Sequence, residues 1–543
     1  VREHFRQHTN PPVFFISAAI VLAFVLWGVF AAGSLGSVAD TVFAWIGEYA
    51  GWWYILAASF FVIVVFTIML SRWGRIKLGP DDARPEFGTL AWFSMLFTAG
   101  MGIGLVFYSV NEPATHFQSP SILQSQTGSA DASIEALKYT FFHWGIHPWA
   151  IYVILGAALG YFAFRRGLPL RPASALYPLI GDRIYGPIGN VIDIVAVFGT
   201  LFGIATSLGF GSGQIATGLN LTFGTPDTAW MQILVIGILT LIAVTSVMLG
   251  IDKGIRRLSL FNLGGAVLMA LVVLVVGPTL VIMQYFAGGI GNYLQTLPQT
   301  SFQMFFGNEA AQTWQQGWTI FYWGWWISWS PFVGMFMARI SYGITLRKFI
   351  GGAILAPTLA SMFWFSIFGG GGLYYILQGN EAIANADSTS ALFTFIEALP
   401  IAGVLATLLS LLSIVVVAVF FATSSDSGSL VVDILTNGGD PNPDWKQRLF
   451  WAVTEGAIAA ILLVAGNAAG GDPLGALQTT AVAAGLPFSF VLVFVCWGLL
   501  KALSEEPASG SAARTPEPSQ PATRPSDGYV SQPDSASPQK VYR

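Results

Sequence analysis

A helix needs about 20 consecutive apolar residues to cross the hydrocarbon core of a bilayer. Twelve stretches of this chain meet that requirement, at 12–33, 52–71, 90–110, 137–164, 186–219, 230–250, 258–287, 313–341, 349–377, 401–435, 447–467 and 474–503. No water is present in the bilayer to pair an exposed backbone, so each stretch has one stable form, the α-helix. The fold class is therefore an all-α polytopic membrane protein with 12 transmembrane helices. With 54% hydrophobic and 10% charged residues, a string of soluble domains is excluded. The net charge of -4 provides no basic surface for nucleic acid. The lone Cys496 excludes an internal disulfide framework and a cysteine metal site.

An even number of spans puts both ends of the chain on one side. Assigning loops alternately places 23 of the 24 Lys and Arg on that same side, with only Lys138 opposite. Basic loops stay in the cytoplasm, so both termini are expected there and the protein in the inner (plasma) membrane. The outer face then carries Asp40, Glu48, Glu112, Asp131, Glu309 and Glu381. The divisions are a cytoplasmic N-terminal segment (1–11), two spans with their loop (12–89), spans three to seven (90–288), an interfacial outer segment (289–312), spans eight to twelve (313–503) and a tail (504–543). Seven prolines and eight serines make the tail an expected disordered segment.

Spans three and eight are interrupted in ways the others are not. The third carries Gly100, Met101, Gly102 and Gly104 at mid-depth; the eighth carries Trp323-Gly324-Trp325-Trp326 and then Trp329-Ser330-Pro331. Irregular helices in corresponding halves point to an inverted-repeat transporter. The glycines suit an unwound segment lining a cavity, and as a GxxxG pair Gly100 and Gly104 equally suit close helix packing. Trp52, Trp53 and Trp314 open spans and read as interface anchors. Trp144, Trp149 and Tyr152 on span four and Trp325, Trp326 and Trp329 on span eight lie deeper. Indoles at that depth either pack or cage a quaternary ammonium, which has no N–H to donate and is held by cation–π attraction.

Asp193, Asp426 and Glu455 are the acids at depth, and no Lys or Arg is expected at mid-membrane. A substrate carboxylate would thus be met by backbone N–H groups of the glycine segment. On span ten, Phe420 to Ser427 stacks hydroxyls that either bond back to their own helix or join carbonyls around sodium. His143 and His147, at i and i+4, fit a metal pair poorly without a nearby acid or cysteine, and a proton relay better.

These stretches resemble the betaine/choline/carnitine transporter family across the whole membrane region. The resemblance is carried by Gly100 to Tyr108 with Glu112-Pro113, by His143 to Tyr152, and by Trp318 to Phe336. It implies a LeuT-like core of two inverted five-helix repeats (90–288 and 313–503), peripheral first and second spans, and a homotrimer. By resemblance to the sodium-coupled betaine carriers, Trp144, Trp149, Tyr152 and Trp326 match the aromatic box, with Trp325 and Trp329 beside it. Thr423 and Ser424, with carbonyls of Thr98, Met101 and Phe420, match one sodium site. A second site, at Thr200 and Phe332, has Ile204 where those carriers have a second threonine. Choline-taking members tend to have Asp at the position of Gly104, so glycine favours a zwitterion. The tail lacks the long basic helix of the osmosensing members.

The expected function is sodium-coupled import of glycine betaine or a related compatible solute by alternating access. The alternative is a proton-coupled symporter or exchanger for choline, carnitine or ectoine. No reactive constellation for an enzyme stands out.

Overall fold

The structure is a computed structural model, which describes residues 9–100, 102–249, 251–440, 445–468, 470 and 474–506. Its principal helices are α1 (Pro11–Phe30), α2 (Ala32–Tyr49), α3 (Gly51–Leu70), α4 (Thr89–Gly100), α5 (Ile103–Phe107), α6 (Asn111–Phe117), α7 (Ala130–Trp144), α8 (Ile146–Gly160), α9 (Pro187–Phe223), α10 (Ala229–Leu249), α11 (Ile251–Val276), α12 (Thr279–Ser301), α13 (Glu309–Gln315), α14 (Phe321–Arg339), α15 (Leu346–Phe365), α16 (Gly371–Leu377), α17 (Ala391–Ala398), α18 (Gly403–Thr436), α19 (Trp445–Ala468) and α20 (Gly475–Ser504). The chain is a multi-pass membrane protein.

Nine helices among the described residues are long and apolar enough to span a membrane, ten if one bent pair counts as a single span. That is short of the twelve expected from the sequence. The two expected spans that fall out are the third and the eighth, the same two that carry interruptions. The third is divided between α4 and α5; in the eighth, α14, tryptophan, serine and glycine lower the hydropathy. The bent pair corrects one boundary. The seventh span was expected to run to 287, but the helix ends at Val276 and the chain turns by 112° into α12. Pro278, at the corner, has no N–H to continue the ladder.

The eighth span also departs from expectation. It is not unwound at its tryptophans: α14 is continuous from Phe321 to Arg339 with Pro331 inside it. Proline leaves the Ile327 carbonyl without its helical donor, and the Ser330 hydroxyl donates to that oxygen at 2.7 Å. The irregular turn lies earlier, a π-helical Gln316–Ile320. The two halves therefore do not share a matching pair of breaks.

α14 lies against α8, α9 and α20. Glycines permit the closest crossings: a Cβ on Gly485 would lie 2.5 Å from the Gly324 carbonyl oxygen, and one on Gly334 would lie 3.1 Å from Leu155 Cβ.

Two of the three acids named at depth are paired with arginine, while the third, Glu455, accepts from the Ser425 hydroxyl at 3.1 Å. Asp193 bonds Arg171 at 3.0 Å and the Ala173 N–H at 3.2 Å. Asp426 pairs with Arg448 and accepts from Ser246 at 2.9 Å. Both arginines are buried, so bases placed in loops by the sequence reading reach back to acids inside. These pairs serve as tethers between neighbouring elements. At the end of α20, Glu506 accepts from Tyr161 at 2.7 Å and from Arg165 at 3.0 Å and 2.9 Å. Burial pushes its carboxyl up, but the bonds from Arg165 and Tyr161 and the charges of Arg165 and Arg166 outweigh this and hold it below the usual range.

Candidate functional site

The helix of the third span stops at Gly100 and restarts at Ile103, with Gly102 extended (φ -123°, ψ -165°) between them. Of the two readings of these glycines, interruption is the one the backbone adopts. Met101 lies outside the described residues, and of Thr98 and Gly100 only the helical backbone is described. A Cβ on Gly104 would lie 2.6 Å from Trp325 and 2.9 Å from Trp144; one on Gly102 would lie 3.0 Å from Trp329. The restarted helix thus presses bare backbone against three indoles.

Those indoles belong to one continuous aromatic cluster. Trp325 and Trp326 stack with centroids 4.6 Å apart and planes 14° from parallel. Trp144 meets Trp326 edge to face at 4.9 Å. Tyr152 lies 6.2 Å from Trp326, 6.4 Å from Trp329 and 5.7 Å from Trp149. All six rings named from the sequence are brought together, each 5% exposed or less.

The polar edges of five of these rings divide into two groups. Trp144 donates to Glu112 at 2.8 Å, Trp325 to the Gly203 carbonyl at 3.2 Å and Trp326 to the His143 carbonyl at 3.0 Å. The Trp329 N–H and the Tyr152 hydroxyl are buried and have no partner among the described residues. A buried donor left unpaired costs about 1–3 kcal/mol, so two of them on neighbouring rings mark a place for an acceptor. Rings with spent donors offer π faces to a cation, and the two unspent donors offer hydrogen bonds to an anionic end.

Sequence reasoning missed Glu112, which it placed on the outer face. The short α6 instead carries it inward, where it is fully buried with four hydrogen-bond partners. Its Oε2 takes Trp144 at 2.8 Å and the Tyr322 hydroxyl at 2.5 Å; its Oε1 faces His143 Nδ1 at 2.8 Å and His116 Nε2 at 3.2 Å. The signal in the sequence was an acid directly following the interrupted span. Trp314, expected at the interface, is also buried, and its N–H donates to His116 Nδ1 at 3.1 Å.

Glu112, His116 and His143 hold their ligating atoms within 4.8 Å of one another, a spacing a metal ion could use. The hydrogen bonding disfavours it. Indole N–H is only a donor, so His116 Nδ1 is the acceptor and its proton sits on Nε2, the atom facing Glu112. A metal would require that nitrogen without a proton. The continuous helix assumed in placing His143 and His147 on one face is not formed. Gly145 (φ -98°, ψ -132°) breaks the helix between them, and a Cβ there would lie 2.4 Å from the Phe141 carbonyl oxygen. Both imidazoles border Trp323, His147 stacked at 5.3 Å and His143 edge to face at 6.0 Å.

On α18, the Thr423 hydroxyl bonds back to Val419 O at 2.8 Å and Phe420 O at 3.2 Å, and Ser424 is buried beside it. The Thr200 hydroxyl bonds Ala196 O at 2.9 Å; Ile204 is fully buried, and Phe332 packs on Trp329 at 5.4 Å.

A family model described as "BCCT, betaine/carnitine/choline family transporter" matches residues 12–508. A glycine betaine transporter of Acinetobacter baylyi is 45% identical over 500 residues, covering 91% of this chain and 73% of the relative. The glycine betaine transporter OpuD of Bacillus subtilis is 44% identical, covering 91% and 94%. A glycine betaine/proline/choline transporter of Vibrio parahaemolyticus is 41% identical, covering 87% and 86%. With a match over nearly its whole length, and with an interrupted helix pressed against a buried aromatic cluster, the chain belongs to the betaine/carnitine/choline transporter family.

Proposed function

We propose that the protein is a sodium-coupled secondary transporter that imports glycine betaine or a closely related quaternary-ammonium zwitterion by alternating access. The observation that carries this reading is the division of the aromatic cluster into π faces and two unpaired donors. The trimethylammonium group sits on the faces of Trp144, Trp149, Tyr152, Trp325 and Trp326, each desolvated contact contributing about 2 kcal/mol. The carboxylate accepts from Trp329 Nε1 and the Tyr152 hydroxyl, with N–H groups of the Gly100–Gly104 break beside them.

In the same proposal, sodium binds to Thr423 and Ser424 with the carbonyls of Thr98, Met101 and Phe420. A hydroxyl that donates to its own helix keeps lone pairs for a cation, so the Thr423 bonds are compatible with this role. A second ion at Thr200 and Phe332 is short of one oxygen, because Ile204 supplies none. The wider architecture we propose is twelve spans with a LeuT-like core of two inverted repeats, a homotrimer, and both termini on the cytoplasmic side of the inner membrane.

Coupling is tested by replacing external sodium with potassium at a fixed membrane potential. Uptake of radiolabelled betaine into proteoliposomes should fall at least about tenfold. Undiminished uptake would favour a proton-driven or exchange mechanism.

A further inference from the structure

Glu112 does more than tie helices together, because of which rings it ties. Its two Oε2 donors, Trp144 and Tyr322, are both neighbours of Trp326: Trp144 meets it edge to face at 4.9 Å, and Tyr322 stacks on it at 5.6 Å and 20°. The positive edges of both rings are thus turned toward the carboxylate, which sits behind the cluster and joins span three to spans four and eight. Two of its four donors are unambiguous. Trp144 can only donate, and His116 is held as a donor by Trp314. His143 donates from Nδ1 when its Nε2 accepts from the Thr319 hydroxyl, 2.9 Å away. Burial disfavours a charge, whereas four donors on two oxygens satisfy an ionised carboxylate completely.

We propose that Glu112 is a specificity-determining positioning residue of the transport site: an ionised carboxylate behind Trp144 and Tyr322 whose negative potential makes the aromatic cluster selective for a positively charged head group. It does not touch substrate. It acts through rings whose N–H and O–H edges it accepts, leaving their faces richer in negative charge, and through its own field at a fully buried position of low dielectric. The proposal rests on the reading of the cluster as a site for quaternary ammonium.

The test compares two ligands of one shape. Betaine and tert-butylacetate share a carboxylate and a tri-methyl head, but the head of the second is a neutral carbon. Their affinities are measured on the purified full-length protein, tert-butylacetate by displacement of labelled betaine. In the parent, betaine binds more tightly. Glu112→Gln should reduce that preference about tenfold, and Glu112→Asp, which keeps the charge, should hold it within about threefold of the parent. A purely structural role would weaken both ligands alike and leave the ratio unchanged, which would overturn the proposal. If Glu112→Gln does not fold, the difference infrared spectrum of the parent against Glu112→Asp decides. An ionised residue gives no shifted protonated-carboxyl C=O band, and the appearance of such a band overturns the proposal. A parent that does not bind betaine at all would instead sink the proposed function.

Discussion

Trp326→Ala should raise the betaine concentration needed for half-maximal uptake by about thirtyfold or more. Trp326 neighbours four of the other five rings, Trp144, Tyr152, Trp325 and Trp329, and also Tyr322, so its loss opens most of the cluster. Losing one desolvated cation–π contact removes about 2 kcal/mol, which is about thirtyfold in affinity. Truncation also leaves the His143 carbonyl without the indole donor it now accepts, adding a buried unpaired acceptor. Initial uptake rates across a range of betaine concentrations in proteoliposomes measure this. Trp230→Ala is the control, since that ring is 79% exposed on α10 and should change uptake less than about twofold. A Trp326→Ala protein with parental uptake would remove the aromatic cluster from the account.

The second large effect is expected at Gly104. A single methyl there would come within 2.6 Å of Trp325 and 2.9 Å of Trp144, below any ordinary carbon contact. Neither indole is free to swing away, since Trp325 is bonded to Gly203 O and Trp144 to Glu112. Overpacking of this kind costs about 1–3 kcal/mol, and here it falls on the two rings that would receive the head group. Gly104→Ala should therefore weaken betaine uptake about tenfold or more while the protein still inserts and purifies. Gly88→Ala is the comparison, because nothing among the described residues lies within 4 Å of a Cβ there. The geometry also qualifies the idea that glycine at this position only spares a zwitterion an unwanted negative charge. An aspartate would need both indoles to be repacked before its charge mattered.

Most of the helical framework was legible in the sequence because apolar runs of membrane-spanning length have no other stable form. What was not legible follows from local backbone chemistry. Hydropathy read 258–287 as one span, since Gly277-Pro278 does not lower the apolar average, yet the missing proline N–H lets the chain turn there by 112°. The tryptophans of the eighth span suggested a break, but Ser330 satisfies the carbonyl that Pro331 abandons and the helix runs through. Helical spacing paired His143 with His147 only on the assumption of a continuous helix, which Gly145 interrupts.

The candidate site was legible where it rests on residue type. Six aromatic rings named from sequence share one cluster, because large rings on two facing spans have nowhere else to bury. Their hydrogen bonding was not legible, since which donors are spent depends on partners on other elements, 32 residues away for Trp144, 122 for Trp325 and 183 for Trp326. Glu112 was hidden by the rule that assigns acids between spans to the aqueous face. Its burial depends on α6 folding inward and on partners from two other segments, α7 and α14, neither of which leaves a periodic trace in the chain.

The central claim is that the cluster receives a zwitterion, its cationic head on ring faces and its carboxylate on Trp329 and Tyr152. Competition for uptake of radiolabelled betaine under an inward sodium gradient tests it most directly. Choline presents the same head with one neutral hydroxyl in place of the two-oxygen carboxylate, a weaker acceptor for the two donors, so unlabelled choline should compete at least about tenfold less well than unlabelled betaine. Choline competing as well as betaine, or uptake that does not saturate, would contradict the account.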